Sequence, residues 1–268
     1  MERITSYDRL APELDAMLKE RVAASFAPDR ESLEAEIAAG ELWMDRLPEG
    51  LVLLRRSVGP QRLRFLLTEP AALCRLSFDR TTALELPCRK RDEKLPALAE
   101  ALQKQGWAEA LRRIRLTRRP APFVRDAADS LPAGPGGSAL QPGEGPAAPA
   151  AMLSLLRSCF SALTGCLPTE AELAADLAEG RLLAPAGGLI RWRGKGRGSE
   201  IRHLAVAPAY RGQGLSKALV AGYLALEGEK LCRVWTGADN YTAQHVYKSF
   251  GYAEDGWQSL VLLYSRME

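Results

Sequence analysis

The residues with the clearest chemical potential lie where a predicted strand runs into a predicted helix. Arg211, Gly214 and Ser216 fit the spacing (Arg/Gln)-x-x-Gly-x-(Gly/Ala), and an apolar-periodic helix follows them. A glycine turn that opens a helix directs free backbone N–H groups and the positive end of the helix dipole at one point. The segment therefore predicts a polyphosphate site formed by Arg211, Gly212, Gln213, Gly214, Leu215 and Ser216. The alternative is a glycine-bearing turn without a ligand.

A tyrosine on a second predicted helix offers acid–base chemistry. Residues 231–236 form a predicted strand, and the helix after it presents one face through Ala243, Val246, Tyr247 and Phe250. A tyrosine has a pKa of about 10, so Tyr247 is protonated at neutral pH and can donate to a leaving group. A core tyrosine on a buried helix face is the alternative interpretation.

The two segments together resemble those of the GNAT superfamily of N-acetyltransferases. The first is similar to its coenzyme A pyrophosphate loop, although Ser216 stands where that loop usually has Gly or Ala. The second is similar to Asn-x-x-Ala-x-x-x-Tyr-x-x-x-Gly-(Phe/Tyr), which is matched by Asn240, Ala243, Tyr247, Gly251 and Tyr252. This resemblance implies direct transfer of an acetyl group from acetyl-CoA to a primary amine of a small molecule or peptide, without a covalent enzyme intermediate.

The resemblance also implies roles for individual residues. It makes Tyr247 the general acid for the leaving thiolate, and it makes the backbone N–H of Val206, at a strand bulge, the donor to the oxyanion. Leu204, Val206 and Asn240 join the loop residues in the expected acetyl-CoA site. Asn240 also suits a helix N-cap, and the two roles are compatible.

The base that deprotonates the amine is specified less closely. Strand alternation gives one face shared by Glu200, Arg202, Leu204 and Val206. Many members of the family carry an acid at this end of the strand, so Glu200 is the candidate base, with a solvated hairpin charge as the open alternative. His203 is expected on the opposite face as a packed or hydrogen-bonded residue, and His245 is expected at the surface.

Two basic segments are interpreted as exposed. Residues 191–198 form a predicted hairpin that is usually a solvated turn. If it bordered the acceptor site, it would favour an acidic or carboxylate-bearing amine. The arginines between Arg112 and Arg119 alternate along a strand and are interpreted as a solvent-facing set.

Composition limits the other function classes. The 268 residues include 36 Lys and Arg against 33 Asp and Glu, a net charge of +3, which is too balanced to indicate nucleic-acid binding. No apolar run reaches membrane-span length, so we expect no membrane association and a cytoplasmic protein. The five cysteines and two histidines show no metal-ligand spacing, which predicts buried free thiols and no metal. The choice between monomer and homodimer stays open.

An internal repeat indicates two domains. Gly40 and Gly180 end similar predicted helices 140 residues apart, and Gly106 and Gly251 do so 145 residues apart. A stretch rich in Pro and Gly separates the halves, which predicts domains at 1–126 and 138–268 and a linker at 127–137. The strand Ser259–Ser265 is expected to close the sheet of the second domain.

The N-terminal half has no counterpart of the glycine loop. No glycine occurs from Pro60 through Gln105, so the backbone there cannot approach a pyrophosphate closely. We therefore predict an α+β protein with two GNAT-like domains in tandem, each a mixed, mostly antiparallel twisted sheet flanked by helices, and with a degenerate N-terminal copy. A non-catalytic acyl-CoA-binding or regulatory module, and an N-acyltransferase that uses a longer acyl-CoA, are the alternatives.

Overall fold

The chain divides into two compact units that differ from the linear halves of the sequence. The computed structural model describes residues 1–20, 22–56, 59–92, 94–122, 148–161 and 166–265. Unit 1 is Met1–Arg112 with Trp257–Glu268, and unit 2 is Arg113–Gly256. The predicted linker at 127–137 lies outside the described residues.

Unit 1 contains a sheet with helices on both faces. In chain order its elements are β1 (Glu2–Arg3), α1 (Tyr7–Lys19), β2 (Ala23–Ala24), α2 (Arg30–Ala38), β3 (Leu42–Leu47), β4 (Gly50–Arg55), β5 (Gln61–Leu67), a 3-10 helix (Pro70–Arg75), β6 (Thr82–Arg89) and α3 (Lys94–Gln103). The strand β7 (Trp107–Arg118) begins in unit 1 and continues into unit 2. Alternate residues of β5 pack on opposite faces: Leu63 and Phe65 lie in the cluster that includes α3, and Leu66 lies in the cluster with α1 and α2.

Unit 2 repeats this plan with one additional long helix. Its elements are α4 (Pro149–Cys159), α5 (Glu170–Ala178), β8 (Leu182–Leu183), β9 (Gly188–Lys195), β10 (Gly198–Val206), a 3-10 helix (Pro208–Tyr210), α6 (Leu215–Glu227), β11 (Leu231–Gly237), α7 (Tyr241–Ser249) and β12 (Ala253–Tyr264), which continues into unit 1. One apolar cluster joins the sheet to α6 and α7, and another joins it to α4 and α5.

The repeat seen in the sequence is present in three dimensions. The helices α2 and α5 occupy residues 30–38 and 170–178, and each is followed by a glycine with positive φ, Gly40 at +69° and Gly180 at +67°. Each helix buries one acid that pairs with arginines: Glu36 with Arg64, and Asp176 with Arg191. The two units therefore share an element order, as the sequence predicts, and also a buried ion pair, which was not predicted from the sequence.

The last strand of each half is exchanged, which corrects the expectation that Ser259–Ser265 closes the second sheet. In unit 2, β7 pairs antiparallel with β11, with Cys232 opposite Arg118. In unit 1, β12 pairs antiparallel with β6, with Tyr264 opposite Thr82. The domain boundaries predicted from the sequence assign β7 to the first domain and β12 to the second, because each strand directly follows the other elements of that domain in the chain. In the structure each strand pairs with the opposite unit's strands.

Candidate active site

The site is built where two parallel strands of unit 2 part. Gly198–Ile201 of β10 pair with Leu231–Val234 of β11, and β10 runs on to Val206 while β11 runs on to Gly237. On its other edge β10 stays paired with β9 up to Val206. The backbone of β11 therefore diverges from that of β10 beyond Ile201 and Val234, which leaves a gap between the two strands.

A bulge lies at the start of this gap. The register between β10 and β9 shifts between Ile201 and His203, so Arg202 is an extra residue. The predicted bulge at Val206 is therefore wrong in position, and regular pairing with Gly188 continues there. Whether the N–H of Val206 binds an oxyanion stays a prediction.

The bulge reverses the sheet face on which the following side chains lie. Ile201 before it, and Leu204 and Val206 after it, all pack into the cluster with α6 and α7. Strict alternation would have put Ile201 on the other face from Leu204. Glu200 therefore lies on the α4–α5 face with His203, and its predicted placement beside Leu204 and Val206 is wrong.

The predicted phosphate loop has the backbone geometry of an anion site. Gly212 and Gly214 adopt φ of +76° and +81°, and Gly214 is the N-cap of α6. The amides of Lys217 and Ala218 donate to the Gly214 carbonyl. At a helix start the N–H groups before these have no acceptor within the helix, so those of Leu215 and Ser216 are directed out of its end.

Close packing fixes the loop against the sheet. A Cβ on Gly187 would lie 2.2 Å from the ring of Tyr210, and one on Gly188 would lie 3.0 Å from Leu215 Cδ2. Only glycine permits the first approach, and at Gly188 a larger residue would require Leu215 to shift. Arg211 Nε donates to the Val206 carbonyl at 3.2 Å, and Gln213 Nε2 donates to the Ala209 carbonyl at 2.8 Å.

The candidate acid lies in the same apolar cluster as the start of α6. Tyr247 packs with Leu215, Leu204 and Val206 in this cluster, and its ring centroid lies 5.6 Å from that of Tyr252. Burial raises the pKa of the Tyr247 hydroxyl above its ordinary value, so this group is protonated at any physiological pH. Asn240 caps α7, its Oδ1 accepting from the amide of Ala243 at 3.0 Å.

The candidate base is already ion-paired. Arg202 Nη1 lies 2.6 Å from Glu200 Oε1, and both side chains are partly exposed. His203 is buried and packs edge-on against Phe160, with ring centroids 5.3 Å apart. Burial, with the charges of Arg191, Arg202 and Arg113, lowers the pKa of His203 to about 3. His203 is thus a packed neutral residue, and His245 is exposed, as the sequence predicts.

Sequence reasoning missed two charged residues of this face. Arg191 was interpreted as part of a solvated hairpin but is 3% exposed and pairs with the buried Asp176. Arg113 lies on the face opposite to its neighbours Ile114 and Leu116, which pack with α6 and α7. The internal repeat gives a signal for Asp176, because this acid lies 140 residues after Glu36 and so has the same position in its helix.

Other expectations concern metals, thiols and membranes. Among the described residues no group of three or more potential ligands could hold a metal ion, and no helix is long and apolar enough to span a membrane. The thiols are free, but only those of Cys88 and Cys232 are buried; Cys166 is exposed, which corrects the prediction for that residue.

Comparison with known proteins gives a family model that matches part of this chain and solved structures of similar fold. The family model for "Acetyltransferase (GNAT) family" matches residues 151–252. A tandem GNAT protein from the clavulanic acid biosynthesis pathway is similar at 15% identity over 100% of this chain and 98% of its own, with a TM-score of 0.59. An acetyltransferase of Pyrococcus horikoshii described as putative is 14% identical over 96% of this chain and 87% of its own, with a TM-score of 0.57. No curated protein matches the sequence. The structural likeness establishes the tandem fold.

Proposed function

This chain carries a GNAT acetyltransferase domain at residues 151–252, and from it we propose that the protein transfers an acetyl group directly from acetyl-CoA to a primary amine. The observation that carries the proposal is the combination, in unit 2, of the gap between β10 and β11 with the glycine loop at the start of α6. The gap gives a thioester access to the sheet, and the loop holds the phosphates.

The loop fits the pyrophosphate of coenzyme A. A Cβ on Gly212 would meet nothing within 4 Å, so the space beside this backbone is open to a ligand. The N–H groups at the end of α6 supply donors, and the helix dipole favours an anion there. Leu204 and Val206 would line the route from the loop to the gap, and Asn240 would border it at the start of α7.

The two candidate catalytic residues lie on opposite faces of the sheet of unit 2. Tyr247 packs on the α6–α7 face, and Glu200 lies on the α4–α5 face. The thioester would thus reach the gap from the first face and the amine from the second. Glu200 accepts a proton from the amine as its nitrogen bonds to the acetyl carbon, the C–S bond breaks, and Tyr247 donates its proton to the sulfur.

Unit 1 has a supporting role in this proposal. Between its two parallel strands it has a 3-10 helix in place of the glycine loop and α6, so we infer one acetyl-CoA site per chain, formed by residues after Gly137. The acceptor is a small molecule or a peptide amine, with no metal, nucleic acid or membrane involved. The cytoplasmic compartment and the oligomeric state stay predictions.

The test is release of free coenzyme A thiol from acetyl-CoA in the presence of a panel of primary amines. Replacing Tyr247 by Phe should lower kcat by ~10²–10⁴-fold with little change in acetyl-CoA affinity, because the hydroxyl acts only as the thiolate leaves. The matched control is Tyr241→Phe, a 75% exposed tyrosine of the same helix, which should keep full activity. Acetyl-CoA binding without thiol release for every amine would favour the non-catalytic alternative.

A further inference from the structure

Arginines are concentrated on the α4–α5 face of unit 2 beside the gap. His203 and Arg191 are directly opposite each other on β10 and β9, and Arg113 lies on the same face of β7. The guanidinium groups of Arg191, Arg202 and Arg113 are the charged groups that most strongly lower the pKa of His203. Two of these arginines are paired with acids, so a ligand can reach their charge only where the pair exchanges its partner.

The two ion pairs on this face differ in how readily they can exchange partners. Arg191 and Asp176 are only 4% and 2% exposed, and taking away one partner of a buried pair leaves the other charge uncompensated away from water. Arg202 and Glu200 are 40% and 29% exposed, and water screens the attraction within such a pair. A ligand carboxylate can therefore replace Glu200 at Arg202 at little cost, but it cannot replace Asp176 at Arg191.

The position of Arg202 makes this exchange relevant to the reaction. Arg202 is the inserted residue of the bulge, immediately after Ile201, the last residue of β10 that pairs with β11. A ligand group held there lies beside the gap. Nη2 of the buried Arg191 also has no hydrogen-bond partner among the described residues, so this face holds an unused donor as well.

We propose that Arg202 selects acceptor amines that carry a carboxylate, by binding that carboxylate in place of Glu200. This inference rests on the proposed acetyl transfer. The exchange frees the carboxylate of Glu200, which then accepts the proton that the amine loses as it attacks. An acceptor without a carboxylate leaves Glu200 paired with Arg202 and is acetylated more slowly.

A binding measurement and a rate measurement test this together. The probe for binding is glutarate, a dicarboxylate with no amine, titrated at constant ionic strength into the full chain. The variant is Arg202→Gln, and the control is Arg197→Gln, which removes the same charge from the exposed turn between β9 and β10. We expect Arg202→Gln to weaken glutarate binding at least tenfold and Arg197→Gln to leave it unchanged.

The rate measurement compares β-alanine with β-alaninamide in the thiol-release assay. We expect the wild type to favour the acid by at least tenfold in kcat/KM, and Arg202→Gln to reduce the ratio to about one. A wild type that acetylates the amide as well as the acid would overturn the inference while the proposed function stands. If no amine releases thiol, the proposed function fails, and glutarate binding alone decides the role of Arg202. Equal binding by the wild type and Arg202→Gln overturns that role.

Discussion

The central strands of units 1 and 2 begin with the same parallel pairing and differ in the residues that follow. In unit 1, Gln61–Leu63 of β5 pair in parallel with Thr82–Leu84 of β6, as Gly198–Ile201 pair with Leu231–Val234 in unit 2. Beyond this point β5 keeps an unbroken register with β4, and Leu63, Phe65 and Leu67 stay on one face. In β10 the extra residue Arg202 shifts the register with β9 and reverses the sheet faces of the side chains that follow.

The loops that follow differ as well. After β5 comes a 3-10 helix at Pro70–Arg75, whereas after β10 come two glycines with positive φ and a helix of 13 residues. Aligned on the last parallel pair, Arg62 of unit 1 corresponds to Glu200, and Arg64 corresponds to His203. Unit 2 thus differs from unit 1 here by one inserted residue and two glycines. Its strand pair has an anion loop and a candidate base, and the strand pair of unit 1 has neither.

The largest expected effect tests the exchanged strands. A fragment of residues 138–268 lacks β7 and leaves the edge of β11 without its partner, whereas a fragment of residues 107–256 contains all of unit 2. We expect the first to aggregate or remain unfolded, since an unpaired central edge exposes backbone groups and apolar side chains. The second keeps β7 paired with β11 and should be the more soluble of the two fragments. Cooperative unfolding of residues 138–268 would contradict the exchange.

The next prediction concerns Glu200, whose position is occupied by Arg62 in unit 1. Glu200→Gln should lower kcat/KM by about 10²-fold, most strongly at low pH, where the amine needs help to lose its proton. Its matched control is Glu229→Gln, an exposed acid beyond the other end of α6. The same substitution should tighten glutarate binding, because it releases Arg202. A pH–rate profile that matches the wild type would remove Glu200 from the mechanism.

A smaller effect is expected at His203, whose position is occupied by Arg64 in unit 1. His203 binds a proton near pH 6.5 in the unfolded chain but only at about pH 3 in the folded protein, so stability falls as pH drops through this interval. His203→Gln should reduce the slope of stability against pH there by up to about 1.4 kcal/mol per pH unit. Urea unfolding at several pH values between 4 and 7 measures this slope. Equal slopes for both proteins would contradict the burial of a neutral His203.

Local features of the site could be predicted from the sequence because each depends on neighbours in the chain. The apolar-periodic helix predicted after the glycine turn is α6 at Leu215–Glu227, and Asn240 is an N-cap as predicted. Glycine spacing and apolar periodicity specify such features within a few turns.

The bulge and the exchange could not be predicted in this way. Buried and more exposed residues alternate along β10 without a break at Arg202, although the sheet face reverses there. The sequence pattern is therefore the same whether or not a bulge is present. The strands β7 and β12 follow similar helices that end at Gly106 and Gly251, and nothing local distinguishes which sheet each one joins. Both features depend on contacts between residues distant in sequence.

The most direct test of the difference between the units is the stoichiometry of acetyl-CoA binding by titration calorimetry. We predict one molecule per chain, an affinity reduced at least tenfold by Gly212→Val, and no change with Gly196→Val. Gly196 also has positive φ (+56°) and open surroundings, so the same substitution there imposes similar backbone strain at a position remote from the loop. Two molecules per chain, or undiminished binding by Gly212→Val, would contradict the assignment of the site to unit 2 alone.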